Sequence, residues 1–451
     1  MLSMPWFLDI IYALGLFLYS PILLVISLFT GKYRRDLGGR MGRISPETLA
    51  VLVQQPAGNR RLLIHCVSVG ELRSVTTLVE QLLNLVPDLT VIVSNTTDTG
   101  AQQAKTLYAS RSDSRVLAVR YPLDFSSFVN RFFDTLKPDM IVLVELETWP
   151  NFLFAAARRR IPVWIVNGRM TEKSYRRYRL IRPLMAAMLG QIESIGLQTE
   201  TIVRRFVALG AKSENVVIIP SLKYDAADFV DHLSGSEAMY TALGLTEEHQ
   251  LFVGGSIGPG EEERLLSAYQ ELQEQWPTLR LALAPRKPEV VRRVIKAIKN
   301  RNLVPVLRTQ CPDDPNGKPR SALESNEIVV LDTMGELRKL YSIAYAVFSG
   351  RSLINKGGSD MIEVAALAKP CCFGPYTYNF SEPVELLLSK NAATCIFKQQ
   401  QLVGRIQAWL AAPDRAAAMG RRAREVLKTQ RGATQRYARR VAERLQQISR
   451  D

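Results

Sequence analysis

Leu62-Leu63-Ile64-His65-Cys66-Val67-Ser68-Val69-Gly70-Glu71-Leu72 is an apolar run that breaks into a short polar turn. Beyond it, Leu72, Val75, Leu78, Val79 and Leu82 recur at helical spacing. A strand that feeds directly into a helix opens a β–α unit. The turn places Glu71 in the first turn of that helix, at the carboxyl end of the strand, where open α/β sheets carry their ligands. Gly70 lets backbone approach a ligand closely, and Glu71 is a candidate general base. A first-turn acid also complements the helix dipole without doing any chemistry. The stretch alone favours that structural role; the rest of the chain reverses the balance.

The same grammar recurs along the chain. Apolar strands are expected near 62–67, 89–95, 115–121, 139–145, 163–167, 194–198 and 216–220. A second series follows near 250–254, 280–284, 303–307, 327–332, 345–349, 370–374 and 393–397. Helical patterns lie between them, for example Gly100 to Ala109 and Phe125 to Leu136. Strand–helix alternation predicts parallel sheets covered on both faces. At 451 residues the chain exceeds one ordinary hydrophobic core. Two doubly wound domains facing a cleft are expected: 32–235 and 236–430, preceded by an anchor over 1–31 and followed by a helix in 431–451. The turn-rich segment Gln310 to Asn326 reads as a surface loop.

Composition is that of a globular protein, with 47% hydrophobic and 22% charged residues. A formal charge of +15 predicts a polyanionic neighbour: nucleic acid, anionic lipid or a phosphorylated substrate. Five cysteines show no CxxC spacing. Cys66, Cys371, Cys372 and Cys395 sit in apolar runs and read as buried thiols of a reducing compartment. No His/Cys metal cluster is visible, and His65, inside an apolar strand, reads as a core histidine.

Ile10 to Phe29 contains no charged side chain. Twenty helical residues span about 30 Å, the thickness of a bilayer core. Lys32, Arg34, Arg35, Arg40 and Arg43 follow it and none precedes it, so the positive-inside rule puts the body of the protein in the cytoplasm. A cleaved signal peptide fits poorly, for the amino end lacks positive charge. An amphipathic helix lying in the interface is the alternative, and the stretch is apolar on all faces. Nine basic residues between Arg158 and Arg182, with Tyr175 and Tyr178 among them and only Glu172 opposing, suit an anionic lipid. Each is worth roughly 1 kcal/mol near an anionic surface. Part of such a run is a solvated helix face, and no nucleic-acid recognition motif accompanies it.

Polar clusters gather at expected strand ends. Glu145-Leu146-Glu147-Thr148-Trp149-Pro150-Asn151 closes one strand with two carboxylates. A strand-end acid that is buried costs several kcal/mol unless paired, so Glu145 needs a partner or a task. Ser221-Leu222-Lys223-Tyr224-Asp225 ends the first half with a lysine. In the second half stand Gly254-Gly255-Ser256, Pro285-Arg286-Lys287-Pro288, Asp332-Thr333-Met334-Gly335-Glu336-Leu337, and Gly357-Gly358-Ser359-Asp360 before the helix that carries Glu363. Free N–H groups at that helix start could cradle a phosphate.

In this order, with Asn167-Gly168-Arg169 and Gly374-Pro375 through Asn379-Phe380, these segments resemble the Kdo transferases. Those enzymes add 3-deoxy-D-manno-octulosonic acid (Kdo) to lipid A precursors. The likeness runs over nearly the whole chain, anchor included. It implies a GT-B glycosyltransferase of lipopolysaccharide biosynthesis on the cytoplasmic side of the inner membrane, with CMP-Kdo as donor, lipid IVA as acceptor, and no metal or other cofactor. By position, Glu71 then resembles the base that deprotonates the acceptor hydroxyl, and Glu145 and Lys223 the groups that steady the transition state. Pro285, Arg286, Met334, Gly335, Glu336, Asp360, Met361, Ile362 and Glu363 resemble the CMP site, with Glu363 on the ribose. The number of Kdo units added and the oligomeric state are not implied.

The chain also departs from the pattern. The family's Gly-Gly-His-Asn-Pro stands as Gly357-Gly358-Ser359-Asp360-Met361, its Gly-Ser-Thr-His as Gly255-Ser256-Ile257-Gly258, and its Pro-Arg-His-Pro as Pro285-Arg286-Lys287-Pro288. Three customary histidines are replaced, and Asp360 adds negative charge beside the presumed phosphate site, which Lys287, Lys356 or Arg351 could compensate. Two alternatives stay open: another lipid-directed GT-B glycosyltransferase, such as a heptosyl- or hexosaminyl-transferase, and an inactive binding protein of the same fold.

Overall fold

In the computed structural model residues 5–30, 36–56, 58–109, 114–313 and 320–448 are described, positions 5, 21–30, 109 and 288 by their backbone alone. The chain forms two compact units, Met1–Ala226 with Arg431–Asp451, and Ala227–Gln430.

The first unit holds seven strands: β1 (Arg60–Cys66), β2 (Leu89–Asn95), β3 (Val116–Arg120), β4 (Met140–Val144), β5 (Val163–Gly168), β6 (Ser194–Leu197) and β7 (Val216–Ile218). All pair in parallel, in the order β3-β2-β1-β4-β5-β6-β7. Strands β2 and β4 are buried along their whole length, as their unbroken apolar runs require in a sheet covered on both faces. Side chains alternate between the two faces. Ile141 and Leu143 of β4 join a core with Phe132, Phe133 and Phe152, whereas Met140, Val142 and Val144 join Leu72, Val75 and Leu78 of the helix Val69–Leu85. The carboxyl-terminal helix Ala433–Gln447 returns to this second core and contributes Tyr437, Val441 and Leu445.

The second unit repeats the plan with β8 (Gln250–Ile257), β9 (Leu279–Pro285), β10 (Val304–Leu307), β11 (Glu327–Val330), β12 (Ala346–Ser349), β13 (Cys371–Phe373) and β14 (Thr394–Cys395). The order is β10-β11-β9-β8-β12-β13-β14, again parallel. Each strand expected from the apolar runs is present, with ends within a few residues of the expectation.

The amino-terminal helix runs Pro5–Thr30. Among the described residues no helix is long and apolar enough to cross a membrane. The side chains of 21–30, half of the expected span, and residues Lys32, Arg34 and Arg35 lie outside the described part. The first turns do not stand apart from the fold: Leu8 is buried in the core of the first unit, and the helix packs on Ser126–Leu136 and Pro150–Arg158. Its other face leaves Ile10, Leu14, Phe17 and Leu18 exposed.

His65 is fully buried, as a core histidine should be, and burial drives its pKa down to about 3. Its Nδ1 lies 2.9 Å from the Ser94 hydroxyl, its ring stacks on Tyr121, and its Nε2 has no hydrogen-bond partner. Cys66, Cys371 and Cys372 are buried free thiols, whereas Cys395 is only partly covered because β14 is a two-residue edge strand.

Candidate active site

In the first sheet the chain order reverses once, between β1 and β4; in the second it reverses between β8 and β12, and β10 and β11 are exchanged at the far edge. Such reversal points leave a crevice outside the carboxyl ends of the strands, the usual ligand position in open α/β sheets. The two carboxylates singled out in the first half flank the first of these points: Glu71 follows β1 and Glu145 follows β4.

Ser68 caps the helix Val69–Leu85, with extended dihedrals and a hydroxyl that accepts the Glu71 N–H. Glu71 answers: one carboxylate oxygen accepts the Val67 N–H at 2.8 Å, the other the Ser68 hydroxyl at 2.9 Å. This is a variant of the Ser-x-x-Glu capping box. The structural role considered for Glu71 is therefore realised, and it fixes the carboxylate's orientation. A carboxylate has about four acceptor positions, so two bonds leave capacity for an incoming proton. Burial raises the Glu71 pKa and Glu145 adds to the rise, against the Val67 N–H, the Ser68 hydroxyl and the charge of Arg169.

Glu145 adopts a left-handed backbone, φ 63°, while its N–H donates to Val166 of β5. A non-glycine residue held there costs of order 1–3 kcal/mol and persists only where its surroundings impose it. Its carboxylate accepts the Arg169 Nε–H at 2.7 Å. Arg169 follows β5, and Asn167 two residues earlier is also left-handed, φ 56°. The buried Asn167 side chain accepts the Leu222 N–H at 3.1 Å and Gln198 Nε2 at 2.9 Å, and its own N–H donates to the Tyr437 hydroxyl at 3.0 Å. Asn167 thus ties the turn before Lys223 to the strand that presents Arg169. Lys223 opens the short helix Lys223–Ala226, which packs on Val69–Leu85 and on the carboxyl-terminal helix. Asp225 of that helix accepts the N–H groups of Gly432 and Thr434.

Glu147 carries a signal that the sequence reading left without a role. Burial, followed by the charges of Glu71 and Glu145, pushes its pKa up to about 7, against the Trp149 Nε1–H that it accepts at 3.1 Å. Glu71, Glu145 and Glu147 are thus close enough to act on one another, with Arg169 as the nearby cation.

In the second unit the residues assigned to the donor lie at or beyond the carboxyl ends of β9 and β11, on one side of β8, and of β12 on its other side. The Arg286 N–H donates to Ile257 of β8 at 3.1 Å, and the Arg286 side chain is exposed. Met334 is exposed and Gly335 adopts φ 87°, whereas the Glu336 carboxylate is engaged by Arg308 at 3.0 Å and by the Thr333 hydroxyl. Tyr341 is fully buried, and burial, followed by the charges of Glu363 and Asp360, raises its pKa against the charge of Arg286. Met361 and Ile362 are buried and hold this segment from beneath.

One expectation changes. The helix that carries Glu363 is only Ile362–Ala366, and Asp360 Oδ1 accepts the Ile362 N–H at 3.0 Å. Asp360 therefore takes part of the N–H array that was expected to cradle phosphate. Sequence reading missed Glu261, which is fully buried. It accepts the N–H groups of Gly258, Arg351, Ser352 and Leu353, joining the segments that follow β8 and β12. Its place four residues before Leu265, on the buried stripe of its helix, was the available signal. No cluster of His, Cys, Asp or Glu suited to a metal ion occurs among the described residues.

The family model described as 3-deoxy-D-manno-octulosonic-acid transferase matches residues 35–226. A protein of Haemophilus influenzae named 3-deoxy-D-manno-octulosonic acid transferase is 29% identical over 430 residues, 94% of this chain and 96% of its own. One of Bordetella pertussis with the same name is 27% identical, covering 88% of each. Among solved structures, a glycosyltransferase of Rickettsia africae superposes with TM-score 0.59 at 12% identity, over 87% of this chain and all of its own. A UDP-GlcNAc 2-epimerase of Neisseria meningitidis gives 0.57 at 14%, over 85% and all of its own. These two likenesses speak for the fold alone, the paired parallel sheets of the GT-B class. The motif order, the family model over residues 35–226 and the near full-length relatives all make this chain similar to the 3-deoxy-D-manno-octulosonic acid transferases.

Proposed function

We propose that this chain transfers Kdo from CMP-Kdo to a lipid A precursor, lipid IVA, by direct displacement in lipopolysaccharide core biosynthesis. Glu71 takes the proton of the acceptor hydroxyl. The hydroxyl oxygen bonds to the anomeric carbon of Kdo as the bond from that carbon to the CMP phosphate breaks, and CMP departs with the electron pair. The positive charge that builds on the sugar is met by Glu145, held in place by Arg169. Lys223 serves as a cationic partner of the reacting groups. Preorganised charges of this kind are worth most where water is excluded. On the donor side Arg286 and Lys287 meet the phosphate, Glu363 meets the ribose, and Pro285, Met334–Glu336 and Asp360–Ile362 shape the nucleotide site. The route requires no metal.

The observation that carries this reading is the placement of Glu71 and Glu145 on either side of the first sheet's reversal point, both oriented by hydrogen bonds. Incubation of the purified protein with CMP-Kdo and lipid IVA, followed by mass spectrometry, tests it. A gain of one or more Kdo masses supports the reading; no gain with CMP-Kdo, but one with a UDP- or ADP-sugar, replaces the donor.

We place the protein at the cytoplasmic face of the inner membrane. The exposed Ile10, Leu14, Phe17 and Leu18 support this, as does Leu180, 85% exposed directly after the arginine-rich helix Glu172–Arg179.

A further inference from the structure

A membrane tether needs no polar contact with the body it tethers, yet the amino-terminal helix makes several. Asp9 accepts the Ser126 N–H at 2.9 Å, the Ser126 hydroxyl, and Asn151 Nδ2 at 2.9 Å. One turn on, the Tyr12 hydroxyl donates to Asp124 Oδ2 at 2.9 Å. Asp124, 7% exposed, also accepts the N–H groups of Asn151 at 3.0 Å and Phe152 at 2.8 Å, and its carbonyl accepts Asn151 Nδ2 at 2.7 Å. Burying such groups is costly unless they are paired, and here they pair with one another.

The recipient of these bonds is the start of the helix Pro150–Arg158. Trp149, its N-cap residue, makes no side-chain capping bond, so Asp124 supplies the cap from another part of the chain. The five residues before that helix run from Glu145 to Trp149, and Trp149 bonds Glu147. The segment is therefore held at one end by Arg169 on Glu145 and at the other by Asp124, whose carboxylate is shared with Tyr12.

We propose that the amino-terminal helix is a positioning element of the transferase site: Asp9 and Tyr12 fix Asp124 and Asn151, and so set the Glu145–Trp149 segment in its working geometry. The inference rests on the roles given above to Glu71 and Glu145. It extends the helix beyond membrane attachment.

The test uses the full chain with Tyr12→Phe, Asp9→Ala and Asp9→Asn, a short-chain acceptor that dissolves without micelles, and flotation with vesicles of anionic phospholipid. A misplacement of about 1 Å costs up to about a hundredfold in rate. We expect kcat on the dissolved acceptor to fall by about tenfold or more in Asp9→Ala and by less in Tyr12→Phe. Affinity for CMP-Kdo and vesicle flotation should be unchanged, and Asp9→Asn should recover part of the rate because its amide oxygen accepts the Ser126 N–H. Unchanged kcat on the dissolved acceptor overturns the inference and leaves the helix as a tether. A loss of rate that follows a loss of thermal stability, without recovery in Asp9→Asn, also overturns it. Glu71→Gln is assayed alongside: if it retains full transfer, the base assignment has failed, whatever the helix variants do.

Discussion

The Arg169 guanidinium lies 2.7 Å from the Glu145 carboxylate, joining the ends of adjacent strands β4 and β5 beside the point where the sheet reverses. The pair answers the requirement that a strand-end acid find a partner. It also places a positive charge near Glu71, which lowers the Glu71 pKa against burial and Glu145.

Replacing Arg169 by Ala removes that charge. The Glu71 pKa should rise, and the acid limb of the kcat/KM profile should move to higher pH. Glu145 loses its partner as well. With the arginine side chain 36% exposed, the stability loss should be modest, about 1 kcal/mol in a urea titration. An unmoved acid limb would separate Arg169 from Glu71.

Glu147 and Asp124 both have pKa values raised to about 7, by burial in the first place. A carboxyl whose folded pKa lies above its unfolded value binds more protons folded than unfolded between the two. Stability should therefore fall as pH rises from about 4 to 7, and the loss should be complete above that window. Glu147→Gln keeps an acceptor for Trp149 and removes one of the two titrations. It should be more stable than the parent at pH 8 by about 1–3 kcal/mol, with the difference fading toward pH 5. Melting curves across this range check it.

Glu261 joins four N–H groups in the second unit. Glu261→Ala leaves them buried and unsatisfied, at about 3–5 kcal/mol. Calorimetry should show affinity for CMP at least about tenfold weaker. Glu261→Gln keeps only one accepting oxygen and should fall between the two.

The Tyr437 hydroxyl accepts the Asn167 N–H from the carboxyl-terminal helix. Tyr437→Phe should cost about 1–3 kcal/mol, because a buried backbone donor is left unpaired. It should also lower kcat by loosening the turn that leads to Lys223. Equal kcat in the variant would count against that link.

Much of the architecture was legible because parallel strands buried on both faces write themselves as apolar runs. The Ser68-to-Glu71 turn was legible because capping uses local spacing. The pairings that make the site were not. Glu145 meets Arg169 only because β4 lies beside β5, and Glu261 meets residues ninety positions away. The charge-free stretch was read as starting at Ile10, just past Asp9, and periodicity could not show that Asp9 reaches Ser126 and Asn151. The Ile362–Ala366 helix was read as an open N-terminus because sequence does not show that Asp360 turns back onto it.

Glu71→Gln gives the most direct test. The amide keeps an oxygen for the Val67 N–H, as glutamine does in capping boxes, and removes only the ability to take a proton. Transfer from CMP-Kdo to lipid IVA should fall by about 10²–10⁴-fold while donor affinity stays within about twofold of the parent. Parent-like transfer by Glu71→Gln would contradict the account.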